Sequence, residues 1–325
     1  MRLCVTGGAG YIGSVVVEKL LERGHEITVL DNLSTGHRDA VPARCRLVEG
    51  DIRDRAALEA ALEPSTEAVL HFAALSIVGD SVADPLTYFD NNVGGSVSLL
   101  RAMEAAGVGK IVFSSSAAVY GAPKQLPIVE THACEPTNPY GTTKLMIEKI
   151  LEASKSAWGL SYVALRYFNA GGSTERFGED HRPETHLIPV VLDTALGKRD
   201  KFTIYGDDYE TEDGTCIRDY IHVVDLADAH VLALDAMDRK FSGPLNLGSE
   251  DPFTVLQVVQ ATEKVTGKSI PREVGARRPG DPPALLASSK RASEVLGWQK
   301  RHSALEDIVR SAYQWRLSHP AGYEA

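Results

Sequence analysis

Cysteine is scarce in this chain, and the four that occur, Cys4, Cys45, Cys134 and Cys216, are scattered along 325 residues. No two of them form a C-x-x-C pair, which argues against zinc and against a disulfide framework. We therefore expect a reduced protein with free thiols, and we predict no metal site.

Long apolar runs and an excess of positive charge are also missing. No stretch reaches the roughly 18 apolar residues that a membrane span needs, and MRLCVT passes directly into glycine without the pattern of a signal peptide. The 44 acidic residues outnumber the 34 basic ones, giving a net charge of −10. We expect a cytoplasmic protein that binds neither nucleic acid nor membrane, and an anionic ligand would need a local basic site.

The first half of the chain does contain a regular alternation of short β-rich runs and longer helical patterns. The runs are RLCVT (2–6), EITVL (26–30), RLVEG (46–50), AVLHFA (68–73), KIVFSS (110–115) and SYVALRYF (161–168). An amphipathic stretch at about 11–23 follows the first run. Strands separated by helices predict parallel βαβ units, so the fold class is α/β with a doubly wound parallel sheet.

After the last of these runs the alternation ends and loops rich in proline and glycine begin. A strand-like FTIYG occupies 202–206, and helical patterns lie near 186–197, 255–266 and 303–316. This suits a smaller, mixed α/β domain that closes over the sheet. We assign 1–169 plus about 215–238 to the larger domain, and about 170–214 plus 239–325 to the smaller one.

The turn after the first strand reads GGAGYIG, which spaces Gly7, Gly10 and Gly13 as G-x-x-G-x-x-G before a helix. Glycines there permit a tight turn and let the backbone approach a pyrophosphate, which the helix N-terminus stabilises. Asp31 ends the second strand, where its carboxylate can accept hydrogen bonds from both ribose hydroxyls of adenosine. A 2′-phosphate would meet Asp31 with like charge, so we predict a Rossmann domain that prefers NAD to NADP.

Residues at the carboxyl ends of the other strands belong to the same expected cleft, because ligands bind there in parallel sheets. Asp51 could accept from the adenine amino group, and Phe72 and Ala73 could line the adenosine and pyrophosphate channel. The NAD-binding residues predicted from these positions are Gly7, Gly10, Tyr11, Ile12, Gly13, Asp31, Asn32, Asp51, Ile52, Phe72, Ala73, Ala74 and Ser114.

The stretch NPYGTTKL (138–145) places a tyrosine and a lysine four residues apart behind a proline. Pro139 fits the first turn of a helix, with Thr137 or Asn138 as the cap, so Tyr140 and Lys144 share one face. With Ser116 of the preceding strand end they supply what alcohol–ketone redox chemistry needs. A nearby cation favours the phenolate, so Lys144 and a positive nicotinamide should lower the pKa of Tyr140.

Taken together, these segments resemble the extended short-chain dehydrogenase/reductase family, along the chain from residue 1 to about residue 320. The motifs are GGAGYIG, DNLSTG (31–36), HFAA (71–74), DNNVGG (90–95), SSSAAVYG (114–121), NPYGTTK, LRYFNAGG (165–172), DGTCIRDYIHV (213–223) and ARRPGD (276–281). The last two motifs are typical of nucleotide-sugar enzymes of the epimerase kind.

The resemblance implies NAD-dependent epimerisation at C4 of a UDP-hexose, UDP-glucose or UDP-galactose. The sugar would be oxidised to a 4-keto intermediate, rotate about its diphosphate link and receive hydride on its other face. Tyr140 would be the base, Lys144 would hold the nicotinamide ribose, and Ser116 would bond the substrate oxygen. The resemblance also adds Ser76, Asn92, Tyr140, Lys144 and Tyr167 to the predicted NAD-binding residues. The implied UDP-sugar-binding residues are Ser116, Tyr140, Asn169, His186, Leu187, Tyr205, Arg218, Leu245, Arg278 and Asp281.

Two departures from the family pattern matter. The family often has a lysine two positions after HFAA, where this chain has Ser76, and Asn-Asn-Leu is often found where this chain has Thr185-His186-Leu187. His186 either donates to the diphosphate or caps a helix. Neither departure touches Ser116, Tyr140 or Lys144.

Rival functions within the fold differ at identifiable positions. A 4,6-dehydratase usually has an Asp-Glu pair after the catalytic serine or threonine, where this chain has Ala117 and Ala118. An inactive NAD-sensing protein typically loses the tyrosine or the lysine, and both are present. A simple NAD-linked sugar dehydrogenase would release NADH.

Two expectations concern substrate size and assembly. The segment GPLNLG (243–248) resembles the strand that lines the sugar pocket, where Leu245 would leave limited room for an N-acetyl group. Apolar stripes at about 86–106 and 139–157 either form a homodimer, as the family commonly does, or pack on the sheet.

Overall fold

The structure is a computed structural model that describes residues 1–278 and 282–323. Within them the strands are β1 (Arg2–Thr6), β2 (Glu26–Asp31), β3 (Arg46–Glu49), β4 (Ala68–His71), β5 (Lys110–Ser114), β6 (Ser161–Tyr167), β7 (Asn169–Gly171), β8 (Phe202–Tyr205), β9 (Ile217–His222), β10 (Gly243–Leu247), β11 (Pro252–Thr254) and β12 (Arg272–Gly275).

The helices of the same residues include those at the predicted helical patterns and others that were not predicted. They are α1 (Tyr11–Glu22), α2 (Arg55–Ala61), α3 (Val78–Ala83), α4 (Pro85–Tyr88), α5 (Gly95–Ala106), α6 (Pro139–Trp158), α7 (Leu187–Ala195), α8 (Val223–Asp238), α9 (Val255–Thr266), α10 (Lys290–Leu296) and α11 (Leu305–Ser318). A π-helical segment, Phe89–Gly94, joins α4 to α5. None of these described helices is both long and apolar enough to cross a bilayer.

The large sheet has the order β10-β6-β5-β4-β1-β2-β3 among the described residues. All neighbouring pairs are parallel. The predicted doubly wound α/β fold is confirmed. Because the strands are parallel, their carboxyl ends meet at one edge and bring the turns after β1, β2, β4 and β5 together.

Both faces of the large sheet are covered, as the near-continuous apolar strands require. On one face α1 and α8 pack together, and Val15, Leu20 and Leu226 are fully buried there. On the other face, α2, α5 and α6 bury residues such as Leu99 and Ile147. The central strands are thereby fixed, and with them the positions of the turns that follow them.

The smaller part of the molecule is built from two small sheets and three helices. The sheets have the orders β11-β9-β7 and β12-β8 in the described residues, and α7, α9 and α11 contact one another around a core that includes Ile188, Val258 and Ile308. Strand β10 instead pairs in parallel with β6 in the large sheet. The predicted boundary at residue 239 therefore differs from the structure, because the chain returns to the large sheet after α8.

Candidate active site

The turn between β1 and α1 brings backbone against backbone, as its glycines predict. Gly7 has φ +73°, and a Cβ there would lie 2.5 Å from the nitrogen of Ala73. A Cβ on Gly13 would lie 2.1 Å from the carbonyl oxygen of Gly7. Larger residues do not fit at either place, so the loop forms a cradle open to a ligand at the start of α1.

Asp31 closes the adjacent wall at the end of β2. Its Oδ2 accepts from the nitrogen of Ala9 at 3.0 Å and its Oδ1 from the nitrogen of Leu33 at 2.9 Å. Burial raises the pKa of this carboxyl, and the two backbone hydrogen bonds oppose that shift. The carboxylate is thus fixed to the glycine loop and lines the cleft.

Most of the predicted NAD-binding residues line one cleft at this edge of the sheet, with a volume of about 370 Å³. Its wall contains Gly7, Gly10, Tyr11, Ile12, Gly13, Asp31, Asn32, Ile52, Phe72, Ala73, Ala74, Ser76, Ser114, Tyr140, Lys144 and Tyr167. The other two, Asp51 and Asn92, do not line the cleft. Asp51 is bound by Arg53 and Asn32, and hydrogen bonds from Arg53 lower its pKa to about 2.

Asn92 is fully buried and braces the wall from behind. Its Oδ1 accepts from the nitrogen of Leu75 at 2.8 Å, and its Nδ2 donates to the oxygen of Leu75 at 3.0 Å and to Oγ1 of Thr143 at 3.1 Å. It therefore ties the loop after β4 to α6, a bracing role that no local sequence pattern indicated.

The chemical end of the cleft is formed by α6 and the turn after β5. Asn138 caps α6 by accepting from the nitrogen of Gly141 at 2.8 Å, and Pro139 occupies the first turn, as predicted. Lys144 Nζ donates to the oxygen of Ser114 at 2.8 Å and lies 5.7 Å from the centre of the Tyr140 ring. Ser116, Tyr140 and Lys144 all line the cleft.

Burial dominates the pKa values of Tyr140 and Lys144 in the nucleotide-free protein. Burial raises the pKa of Tyr140 well above its usual value, and a hydrogen bond from Ser116 opposes this rise only in part. Burial also lowers the pKa of Lys144 to about 7. In the nucleotide-free protein burial therefore dominates the pKa of Tyr140, and the lowering of this pKa by Lys144 together with a positive nicotinamide stays a prediction.

A buried ion pair anchors α6 to the sheet one turn beyond Lys144. Arg166 Nη2 of β6 lies 2.5 Å from Oε2 of Glu148, and Ser115 Oγ donates to Oε1 of Glu148 at 2.6 Å. Both charged side chains are less than a tenth exposed. Sequence reasoning missed this pair, whose only signal is a charged residue inside an apolar strand.

The predicted sugar-binding residues divide into two groups. Ser116, Tyr140, Asn169, His186 and Leu187 line the cleft. Tyr205, Arg218 and Arg278 lie outside its wall, with the Arg278 guanidinium 4.3 Å from the centre of the Tyr205 ring. Arg218 Nη1 donates to the oxygens of Ile217 at 2.7 Å and Pro282 at 3.0 Å. Asp281 lies outside the described residues.

Leu245 does not line the cleft, and this prediction is wrong. Its side chain is fully buried in the core between the large sheet and its helices. The register of β10, with Leu245 opposite Leu165 of β6, directs both residues into that core. Strand pairing, which the sequence left open, decides the direction of this side chain.

A cluster of histidine and glutamate side chains adds to the same wall and was missed apart from His186. Glu179, His181 and His186 line the cleft, and Glu184 completes the group. His186 lies at the N-cap position of α7 but makes no cap hydrogen bond there; attraction by Glu179 raises its pKa to about 11. The available signal was the repeated E-x-H in GEDHRPETH.

Comparison with known proteins agrees with this arrangement. The family model described as NAD dependent epimerase/dehydratase family matches residues 3–248. A UDP-glucose 4-epimerase of Lacticaseibacillus casei is 51% identical over 99% of each chain, and one of Corynebacterium glutamicum is 50% identical over 96% of this chain and 95% of its own.

Solved structures of UDP-glucose 4-epimerases also match this chain over nearly its full length. The UDP-glucose 4-epimerase of Brucella ovis in complex with NAD is 49% identical, with a TM-score of 0.93 over 96% of this chain and 97% of its own. That of Bifidobacterium longum, in complex with NAD+ and UDP, is 39% identical, with a TM-score of 0.94 over 99% of this chain and 100% of its own. The chain therefore belongs to the NAD-dependent epimerase/dehydratase family, as its sequence motifs indicated.

Proposed function

We propose that this protein interconverts UDP-glucose and UDP-galactose by NAD-dependent epimerisation at C4. The observation that carries this conclusion is the convergence of Ser116, Tyr140 and Lys144 on the cleft that holds the glycine loop and Asp31. Relatives named UDP-glucose 4-epimerase match this chain at about half of all positions along its full length, which supports the same activity.

The residues present fit NAD. The glycine cradle leaves room for a pyrophosphate at the start of α1, and the fixed carboxylate of Asp31 can accept from the hydroxyls of an unphosphorylated ribose. Bound there, NAD supplies the reversible oxidation of the C4 alcohol to a ketone. The protein must then hold the nucleotide, exclude water and move one proton.

Tyr140 is the residue placed to move that proton. As the phenolate it takes the proton from the sugar 4-OH and becomes the neutral hydroxyl, which returns the proton at the end of the cycle, while Ser116 holds the same sugar oxygen by a hydrogen bond. Lys144 is anchored to the oxygen of Ser114, so its ammonium group is held beside the ring of Tyr140. The positive charge of a bound nicotinamide would add to that of Lys144, favour the phenolate, and reverse the rise in the pKa of Tyr140 that burial causes.

Charged and polar groups near the chemical end of the cleft would bind the diphosphate and the uridine of the substrate. We assign Asn169 and His186, on the cleft wall, and Arg218 and Arg278, beyond it, to the diphosphate, with Asp281 on the uridine ribose. A protein with a net charge of −10 needs such fixed cations to bind a dianion, and guanidinium groups offer bidentate geometry.

The test is to start from either UDP-sugar and follow both by chromatography. Epimerisation predicts that the two reactions converge on one mixture of UDP-glucose and UDP-galactose. A 4,6-dehydratase would instead accumulate a 4-keto-6-deoxy sugar, but Ala117 and Ala118 carry no group that can transfer the required protons. A 4-keto-6-deoxy product would overturn the proposal.

We further propose that the protein is a cytoplasmic homodimer. Apolar side chains remain exposed on neighbouring helices, with Val82 of α3, Leu86 of α4 and Met146 of α6 at 63%, 77% and 38% exposure. Pairing of these helices about a two-fold axis would cover this surface. Light scattering after size-exclusion chromatography tests it, and a monomer mass in wild type would contradict the assignment.

A further inference from the structure

We propose that Glu179, His181, Glu184 and His186 form a binding site for a divalent transition-metal ion of the Zn²⁺ class. These residues form two E-x-H pairs in the loop that connects β7 to α7. The site is separate from the Ser116–Tyr140–Lys144 group, and its existence does not depend on the proposed function.

The four side chains point their donor atoms at a common centre. One ligand atom from each lies within 4.8 Å of every other. His186 Nδ1 is 2.9 Å from Oε1 of Glu179 and 3.0 Å from Oε1 of Glu184, and His181 Nδ1 is 3.2 Å from Oε1 of Glu179. Small movements of side chains that already converge would complete a four-coordinate shell.

Two of these possible metal-ligand atoms are buried but make no hydrogen bond. His181 Nδ1 and Glu184 Oε2 are both shielded from solvent, and neither has a hydrogen-bond partner in the described part of the chain. The Glu184 side chain is only 7% exposed. A buried polar atom without a partner is costly, and a metal ion at the centre would bind both atoms at once.

Ion pairing alone explains the cluster less well. Two protonated histidines between two glutamates would be electrically balanced, but the geometry still leaves Glu184 Oε2 at 3.7 Å from both His181 Nδ1 and Arg316 Nη2. These distances are too long for hydrogen bonds. Two neutral imidazoles and two carboxylates around a divalent ion are equally balanced in charge and satisfy every donor atom.

The donor set selects the class of metal. Imidazole nitrogen combined with carboxylate oxygen suits Zn²⁺ and its first-row neighbours, whereas Mg²⁺ and Ca²⁺ prefer oxygen ligands alone. Arg316 supports the ligands from outside. Its Nη1 donates to Oδ1 of Asp193 at 2.7 Å and its Nη2 to the oxygen of Glu179 at 3.4 Å, which holds that part of the loop in place.

The position of the cluster indicates what the metal would do. The His181 ring packs edge-on against Tyr11 of the glycine loop at 6.5 Å between ring centres, and Leu187 follows His186 on the cleft wall. A metal bound by four residues within an eight-residue segment would lock this loop against the cleft. The ion is therefore a structural clamp, and these residues position the wall without entering the chemical step.

The test measures metal content and does not need activity. Wild-type protein carrying its nucleotide is treated with chelator, equilibrated with Zn²⁺, dialysed and analysed by mass spectrometry of the elements. We expect about one Zn²⁺ per chain, and loss of this uptake in the double variant His181→Gln/Glu184→Gln. The matched control is His302→Gln, which disrupts the histidine–carboxylate pair of His302 and Asp225 elsewhere in the fold and should bind Zn²⁺ as wild type does.

Co²⁺ in place of Zn²⁺ identifies the ligands. We expect the visible bands of four-coordinate Co²⁺ without the near-ultraviolet thiolate band, since none of the four ligands in the cluster is a cysteine. If the double variant fails to fold, judged by circular dichroism, then Glu184→Gln alone should weaken Zn²⁺ binding at least about tenfold. Absence of Zn²⁺ from wild type, equal uptake in the variants, or a thiolate band would overturn the proposal.

Discussion

The two ends of the cleft are built in different ways. At the dinucleotide end, the wall is backbone from the turns after β1 and β4, together with Asp31 at the end of β2. At the chemical end, the wall is side chains from separate elements, including Ser116 after β5, Tyr140 of α6 and His186 before α7. The first end depends on how closely the main chain can approach a ligand, and the second on the orientation of individual side chains.

This difference separates binding from turnover. A substitution at the dinucleotide end should act mainly through the affinity for the cofactor, because it alters the shape or charge of a preformed cradle. A substitution at the chemical end should act mainly through the rate, because the nucleotide contacts remain. Each expectation below tests one side of this comparison.

The largest effect is expected at the chemical end, for Tyr140→Phe. Removing the proton-transferring hydroxyl should lower kcat about 10²- to 10⁴-fold while NAD stays bound. Turnover and bound NAD are measured on the same preparation, with Tyr313→Phe in α11 as a matched control. Near-normal turnover of Tyr140→Phe, or loss of its NAD, would break the distinction between the two ends.

The second effect lies in the core, for Leu245→Ala. Because Leu245 is fully buried beneath the sheet, its truncation should cost about 2–5 kcal/mol in the free energy of unfolding. The ratio of kcat/KM for UDP-glucose to that for UDP-N-acetylglucosamine should stay unchanged. Denaturant unfolding and the two kinetic assays measure these quantities. A change in the ratio of the two kcat/KM values would show that Leu245 does line the sugar pocket.

A smaller effect is expected at the dinucleotide end, for Asp31→Asn. Loss of the charged acceptor should weaken NAD binding by about 1.5–3 kcal/mol. It should also reduce the ratio of the affinity for NAD to that for NADP. Asp51→Asn changes the same group at the end of the neighbouring strand, but Asp51 does not line the cleft and is bound by Arg53, so this change should affect the affinity for NAD less. Equal losses in the two variants would show that Asp31 is not the specific ribose contact.

The smallest effect, taken per pH unit, is a pH dependence of the free energy of unfolding, which tests the electrostatics of the chemical end. Burial lowers the pKa of Lys144 from its usual 10.5 to about 7, so between these values the unfolded chain binds a proton that the nucleotide-free folded chain does not. Stability should therefore rise with pH across this window, by on the order of 1 kcal/mol per pH unit, and show no such slope below about pH 7.

Urea unfolding at several pH values measures this slope for the nucleotide-free protein. Lys144→Met should lack the contribution, whereas Lys149→Met, at an exposed position of the same helix, should follow wild type. Identical slopes in wild type and Lys144→Met would show that the lysine keeps its usual pKa in the folded protein.

Features encoded by local sequence were predictable. Strand β1 and helix α9 have the predicted bounds, and the glycine turn and the first turn of α6 follow from residues whose backbone preferences are strong. The alternation of strands and helices predicted a parallel sheet, which in turn predicted that the turns after β1, β2 and β4 would meet at one edge.

Features that depend on distant partners were not predictable. The direction of Leu245 follows from pairing with β6, and the buried pair of Glu148 and Arg166 joins a helix to a strand. The high pKa of Tyr140 results from burial by several elements. For the Glu179–His186 cluster the residues are local, but their convergence requires a loop conformation that no periodicity encodes.

The central claim is that the two ends of the cleft act together on one sugar without consuming the cofactor. Purified protein is incubated with UDP-galactose and no added NAD, while UDP-glucose and NADH are followed together. We predict many equivalents of UDP-glucose per chain and no net release of NADH. Formation of NADH in step with loss of UDP-galactose, without UDP-glucose, would contradict the account and identify a dehydrogenase.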